Sequence, residues 1–499
     1  MAVEATRRSR TYGNWRRPRS AGLGQLGLLG TVILMGGLIL VILVTALVGL
    51  LPALVLLVLL GLFLATLLVR DRHGKTGLQL LGVRVGWFRT RRAGAHLYRS
   101  GPLGHVPWGT FQLPGLLAAS TLTEARDSYH RPFALLQVPA TGHYTVVLSA
   151  EPDGASLVDQ EQIDLWVARW GERLASVGDE PGVVAASVTV ETAPDTGTRL
   201  RNQVGGQVDP GAPELARAVL GKIVESYPLG SATVNAWVAL TFTAHSRAGR
   251  RDPKEMARDL ATRLPGLTQR LHGTGAGAVR PLSAQRLCEL VRTAYEPASA
   301  KVIEEAYARG QVPELHWGDA GPVAAEASWG RYRHDDAISV SWAMSSAPRG
   351  EVHSSVLLKL LSPHRDIARK RVSLLYRVMD SGVAAKLVEA DLRDADFRVA
   401  SAQRPSARVL SEQRAANATA QEEARGAGLV DFGMIVTATV LDEQLLPDAE
   451  AAVENLAATA RLSLRRVFGS QDSAFAAGLP LGLVLPRHLK VPQQIRRTL

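Results

Sequence analysis

Between Arg19 and Arg70 the chain carries no charged side chain. The strongly apolar part, Leu26 to Val69, is about twice the roughly 20 residues that one membrane-crossing helix needs. A run of this kind has few outcomes, because in hydrocarbon every backbone N–H and C=O must be satisfied inside its own segment. Gly49 and Pro52 sit near its middle, in VGLLPAL. Proline lacks a backbone donor and glycine admits turn geometry, so the run is predicted to break there into two transmembrane helices. Its length, and the missing polar cleavage region, speak against a cleaved signal peptide.

Both flanks are basic. Arg7, Arg8, Arg10, Arg16, Arg17 and Arg19 precede the run, and Arg70, Arg72, Lys75, Arg84, Arg89, Arg91 and Arg92 follow it. The positive-inside rule then places both ends in the cytoplasm of a bacterial plasma membrane, with Arg16, Arg17, Arg19, Arg70, Arg72 and Lys75 as topology anchors. Gly27, Gly30, Gly36 and Gly37 in the first helix permit close helix contact, and so self-association or assembly with other membrane subunits.

The stretch RDRHGKTG, residues 70–77, ends like a nucleotide-binding P-loop. That motif needs a glycine five positions before Gly74, and Val69 stands there. A membrane helix, rather than a strand, precedes it. The Gly-Lys-Thr is therefore read as a cytoplasmic anchor.

The basic excess, net charge +11, comes from 49 arginines against 8 lysines, a bias that points first to a GC-rich, actinobacterial genome. It leaves nucleic-acid contact as a lesser expectation. A single cysteine, Cys288, excludes an internal disulfide and any zinc site built on several cysteines. It lies on an apolar helical stripe with Leu287 and Val291, as a core thiol does.

Seven segments are expected: a basic N-terminus (1–25), two transmembrane helices (26–69), a juxtamembrane collar too rich in Gly and Pro for long helices (70–128), a first α+β domain (129–250), a helical connector (251–322), a second α+β domain (323–486) and a tail (487–499). In the first domain FALLQV and YTVVLSA read as paired strands. DQEQIDLWVARWGERLASV reads as a helix, with Asp159 as N-cap, Gln162 closing a capping box, and Ile163, Trp166, Val167, Trp170 and Leu174 on one face. The strand VVAASVTVETAP, a helix near 213–226 and the strand ATVNAWVALTFTAH complete a ββαβαβ order. The connector supplies about three helices over 253–308. The second domain reads AISVSWAMSSAP, SSVLLKLLS and RVSLLYRVM as strands, 380–426 as mainly helical, LVDFGMIVTATVLD as a strand, and DAEAAVENLAATARLSLRRVF as one long helix. The fold class is thus a membrane hairpin followed by two ββαβαβ-type sandwiches joined by helices, a degenerate duplication in element order rather than in residues.

No Gly-x-Ser-x-Gly elbow, His-Glu-x-x-His or strand-following Gly-x-Gly-x-x-Gly occurs. The densest titratable patch is RYRHDDAIS. His334 beside Asp335 and Asp336 is a workable metal or acid–base set, which would make a membrane-anchored, metal-dependent enzyme. The same letters describe a charged turn before a strand, its acids paired with Arg331 and Arg333, and that reading is preferred. His364 and Asp366 in SPHRDIARK read as a polar turn. The expectation is no catalytic, cofactor or metal residue.

One further stretch carries a resemblance. RRVFGSQDSAFAAGLPLG (465–482), with Gln471, Phe475, Leu479, Pro480 and Gly482, resembles the pattern that closes the N-terminal α/β region of conjugative ATPases of type IV secretion systems, just before the motor domain. Here the chain ends soon after. The N-terminal run is similar to the PrgI-type membrane hairpins that partner such ATPases. With YGNWRRPRS, LPGLLAAS, YTVVLSAEP and VTVETAPDTGTRL, nearly the full chain resembles an actinobacterial membrane-protein family encoded beside conjugation-type ATPases. A second resemblance, of architecture only, is to the type VII secretion component EccE. These resemblances imply a non-catalytic platform without cofactor that positions a separate ATPase at the plasma membrane.

Overall fold

The computed structural model describes residues 10–13, 15, 27–69, 71, 74–104, 110–154, 157–195, 197–209, 211–226, 232–246, 249–348, 350–379 and 381–489. The chain divides into two compact units. One holds the N-terminal helices up to Gly94 together with Ala385–Glu422; the other holds Ala95–Ala384 with Glu423–Leu485.

In the first unit the apolar run forms α1 (Gly27–Leu47) and α2 (Leu50–Leu68). Both are long and apolar enough to cross a membrane. The break falls where glycine permits it: Gly49 has φ 117°, and Pro52 sits in the first turn of α2, where a backbone donor has no helical acceptor. Gly37 is the small residue that lets the two helices close up, since a Cβ there would lie 2.6 Å from the Leu60 methyls; at Gly36 it would meet nothing. Most of the remaining surface of the pair is exposed leucine, isoleucine and valine.

The collar was expected to lack a long helix, yet α3 (Gly77–Arg92) is one. Thr76, the last letter of the apparent P-loop, caps it: its Oγ1 accepts from Gln79 N at 3.3 Å, and the Gln79 side chain accepts from Thr76 N at 3.2 Å. That capping box outweighs the glycines. In the helix that begins at Gln160 the reverse happens, and Asp159 makes no side-chain cap. Ala385–Glu422, in the same unit as α1–α3, contributes most of two further helices.

The second unit is built on a sheet. Its elements in order are β1 (Leu97–Arg99), β2 (Thr121–Arg126), β3 (Pro132–Val138), β4 (His143–Glu151), α4 (Gln160–Val177), β5 (Val183–Pro194), α5 (Thr198–Gln207), α6 (Glu214–Ser226), β6 (Ala232–Thr243), a small hairpin β7–β8 (His245–Ser246, Gly249–Arg250), α7 (Pro253–Gln269), β9 (Ala278–Pro281), α8 (Ala284–Tyr295) and α9 (Ser299–Ala308). Then come β10 (Ala324–Ala327), β11 (Tyr332–His334), β12 (Ala337–Ser346), α10 (Leu358–Leu361), β13 (Arg369–Val378), α11 (Ser381–Ser401), α12 (Ala407–Ala424), β14 (Val430–Val440), α13 (Leu446–Thr459), β15 (Ser463–Arg466), α14 (Gln471–Ala477) and α15 (Leu485–His488), of which α11, α12 and α15 lie mostly in the first unit.

The two expected sandwiches are one antiparallel sheet. Its order is β1-β10-β11-β12-β14-β13-β5-β6-β4-β3-β2, with β15 added to β12 and β9 to β4. β5 and β13 join the halves through eight aligned pairs, from Lys370↔Thr192 to Arg377↔Ala185. About this seam the halves repeat. β3-β4-β6-β5 on one side answers β11-β12-β14-β13 on the other; α5–α6 is inserted after β5 as α11–α12 is after β13. The strand β9 follows α7 and pairs with the far end of β4, as β15 follows α13 and pairs with the far end of β12.

Helix α7 is not a connector. Met256, Leu260, Leu264 and Leu267 pack into the apolar core under β4, β5 and β6, where its counterpart α13 covers β12 and β14 with Ala449, Val453 and Leu456. Two element assignments fail. SSVLLKLLS forms helical turns, with Leu360 fully buried; Leu357, Leu360 and Leu361 have helical rather than alternating spacing. The long C-terminal helix stops at Thr459, because Arg461 turns left-handed at φ 53° and the chain re-enters the sheet as β15.

Candidate functional site

The two faces of the sheet differ in chemistry. One is apolar and carries both hydrophobic cores. The other brings inward-facing hydroxyls from strand after strand, buried and paired. Ser341 and Thr437 approach to 2.9 Å between β12 and β14, Thr189 and Ser373 to 3.0 Å across the seam, and Thr145 and Thr241 to 3.3 Å between β4 and β6. The first and last of these occupy matching places in the two halves.

The C-terminal stretch singled out in the sequence lies across this polar face. Gln471, fully buried, reads both groups of Ser341: its Oε1 accepts from Ser341 N at 2.8 Å and its Nε2 donates to Ser341 O at 3.3 Å. Further along, Gly478 O accepts from Ser373 Oγ at 2.7 Å, and Gly482 O accepts from Thr241 Oγ1 at 2.8 Å. The strap thus bonds to β12, β13 and β6 in turn, spanning the seam. Phe475 anchors it, with its ring 4.7 Å from His334, 5.0 Å from Tyr295 and 5.4 Å from Tyr332. Leu479 and Pro480 are buried beside it. Gly482 has φ +63°, and a Cβ there would stand 2.2 Å from Thr241 Oγ1. All five motif residues are therefore brought together as a clasp, with Gln471, Phe475, Leu479 and Pro480 buried and Gly482 half-buried.

Beside the clasp the seam holds three buried charges, bonded to one another, that the sequence reading missed; Lys370 between them is buried as well. Glu191 on β5 receives Arg369 Nη1 at 2.7 Å, and Arg371 Nε and Nη2 at 3.0 and 2.7 Å. Burial alone would raise its carboxyl pKa; the two guanidiniums outweigh that and hold it below the ordinary value. Arg371 also stands over the Phe475 ring at 5.5 Å. The signal was present, as alternate charges inside strands otherwise hydrophobic, in VTVETAP and RKRVSLL.

The RYRHDDAIS turn comes apart chemically. His334 is fully buried: one ring nitrogen meets the carbonyl of Tyr295 and the other lies 2.7 Å from Ser339 Oγ, which is itself 2.7 Å from Thr439 Oγ1. Burial lowers the imidazole pKa to about 4. Both ring nitrogens are engaged, and solvent does not reach this Ser–His pair, so it ties β11, β12 and β14 together. Asp335, at φ 47°, accepts from the backbone N–H groups of Val323 and Ala324 at 2.8 and 3.0 Å. Asp336 points to solvent. Arg331 and Arg333 pair with Glu443 rather than with the neighbouring acids. His364 and Asp366 stand 3.8 Å apart on the rim of a shallow, polar depression of about 450 Å³, shared with Asp448 and Asn455. Cys288 is buried on α8, its thiol pushed up to about 12 by that burial, with Glu289 and Asp319 adding to it. Among the described residues no group of three or more His, Cys, Asp or Glu is placed to hold a metal ion.

Of the topology anchors, Lys75 lies in the turn between α2 and α3, where Asp71 N donates to Lys75 O at 2.8 Å. Arg16, Arg17, Arg19, Arg70 and Arg72 lie outside the described residues.

Residues 19–79, the apolar hairpin and its flanks, match the model of a family described as a domain of unknown function (DUF8461). No curated protein matches the chain. The class defined here is therefore structural: a hairpin of two apolar helices carried by a chain with a large, antiparallel, pseudo-duplicated α+β sheet.

Proposed function

We propose that the protein is a non-catalytic platform subunit of a bacterial secretion or conjugation machine. In this reading α1 and α2 cross the plasma membrane with both termini in the cytoplasm, and the sheet unit positions a separate ATPase at the inner face. One observation carries the reading: the chain joins an apolar hairpin, exposed along most of its length, to a unit whose Glu191–Arg369–Arg371 and His334–Ser339 groups are buried and bonded to one another. Exposed leucine and isoleucine over two whole helices call for lipid. Glu191, Arg369 and Arg371 bind β5 to β13 in the interior, and His334 ties β11 to β12. An ATPase as partner is supported by the likeness of the clasp to the segment that precedes the motor in conjugative ATPases. The order of hairpin and α+β region equally suits an EccE-like component of type VII secretion.

Full-length protein extracted from native membranes with detergent tests this. A hexamer-forming ATPase is expected to co-purify, and the protein alone to release no phosphate from ATP. Hydrolysis by the isolated protein that Lys75→Ala abolishes would overturn the proposal.

A further inference from the structure

Helix α3 has an apolar stripe that the sheet and the hairpin do not explain. Leu78, Leu81, Val85 and Phe88 recur at spacings of three and four, so they line one side of the helix, and they are 37, 57, 48 and 64% exposed. The opposite side differs: Leu80, Val83 and Trp87 are half-buried. At 100° per residue, Arg84 and Arg89 border the exposed stripe on its two sides and Arg92 closes its C-terminal end. The helix holds no carboxylate, and no ion pair engages these arginines among the described residues.

Its position matters as much as its pattern. Gly77 N donates to Val69 O at 3.0 Å, and a Cβ on Gly77 would lie 3.0 Å from Thr66 O. The first turn of α3 is therefore held against the last turn of α2, at the level where the apolar helix ends. A helix that starts there, with an exposed apolar stripe between cations, meets two layers of a bilayer surface at once: acyl chains below and anionic headgroups beside them.

We infer that α3 lies in the plane of the inner leaflet, with Leu78, Leu81, Val85 and Phe88 inserted at the headgroup–acyl boundary and Arg84, Arg89 and Arg92 on anionic lipid phosphates. The inference rests on the proposed membrane placement of the hairpin. It adds a second lipid contact, which fixes the angle at which the chain leaves the membrane.

The test uses full-length protein in a Cys288→Ala background, reconstituted in nanodiscs of phosphatidylglycerol and phosphatidylcholine. Spin labels are placed singly at Leu81, Val85 and Phe88, at Gly86 on the far side of α3, and at Leu40 and Leu57 in the hairpin. Oxygen and nickel-chelate accessibility then give each depth. Labels at 40 and 57 are expected in the acyl core, those at 81, 85 and 88 at headgroup depth, and that at 86 in water. Replacing Arg84, Arg89 and Arg92 by glutamine is expected to shift the inserted-to-lifted ratio by about fivefold per charge at low salt. Core depth at 40 and 57 with aqueous 81, 85 and 88 overturns the inference and leaves the membrane reading standing. Labels at 81, 85 and 88 shielded from both reagents overturn it in favour of a protein cover. Aqueous labels at 40 and 57 overturn both readings.

Discussion

At the residue scale, two positions set sharp expectations. His334 is held neutral: its pKa falls from 6.5 to about 4 on burial. The unfolded chain therefore binds a proton that the folded one refuses, and stability falls as the pH drops from 6.5 toward 4. The shift corresponds to roughly 3 kcal/mol. Melting of the full-length protein in detergent should show this loss, and His334→Gln, though less stable at neutral pH, should lack most of it. Glu191 acts in a different window. Its folded pKa is depressed, so its contribution is complete above 4.5 and disappears only as the pH falls through the lower folded value. Gly482→Ala meets both a left-handed backbone and the hydroxyl of Thr241. It should cost about 2–3 kcal/mol in chemical denaturation, whereas Gly86→Ala, in open space on a helix, should cost nothing and even gain a little.

Among the elements, the C-terminal strap and the β5–β13 seam do the joining. Phe475, on α14, fills an aromatic pocket formed by α8 and β11, so Phe475→Ala should destabilise the sheet unit by about 3–5 kcal/mol. Glu191→Gln keeps the shape and leaves Arg369 and Arg371 buried without their counter-charge. A loss of about 3–5 kcal/mol is expected, measured by denaturant unfolding. Much at this scale was legible beforehand. Strands β3, β4, β5, β6, β12, β13 and β14, and helices α4 and α6–α9, follow from alternation and helical spacing in short windows. What misled was local as well: the SSVLLKLLS run has strand-forming letters but helical spacing, and α3 contains three glycines yet starts from a full capping box. The clasp was found in the sequence through a resemblance. Its role as a bolt across the seam was not, because Gln471 meets Ser341 across 130 residues of chain.

For the molecule as a whole, the repeat about the seam argues for shared cooperativity. The hydrogen-bond ladder is continuous from β12 to β4, so the halves should not unfold separately. Hydrogen exchange is expected to place the amides of β4, β5, β6, β12, β13 and β14 in one slow class that opens together. Two classes divided at β5/β13 would show instead that the two halves open independently. The sequence alone determined the hairpin, its break at Gly49 and most strands and helices, because solvent partition and period are properties of a few neighbouring residues. Only the tertiary structure decided that the two α+β halves share one sheet, that α7 is core rather than connector, and that Glu191 finds two arginines 178 and 180 residues away. Strand pairing is made by backbone groups that every residue carries, so nothing in the letters of one strand names the partner it will meet.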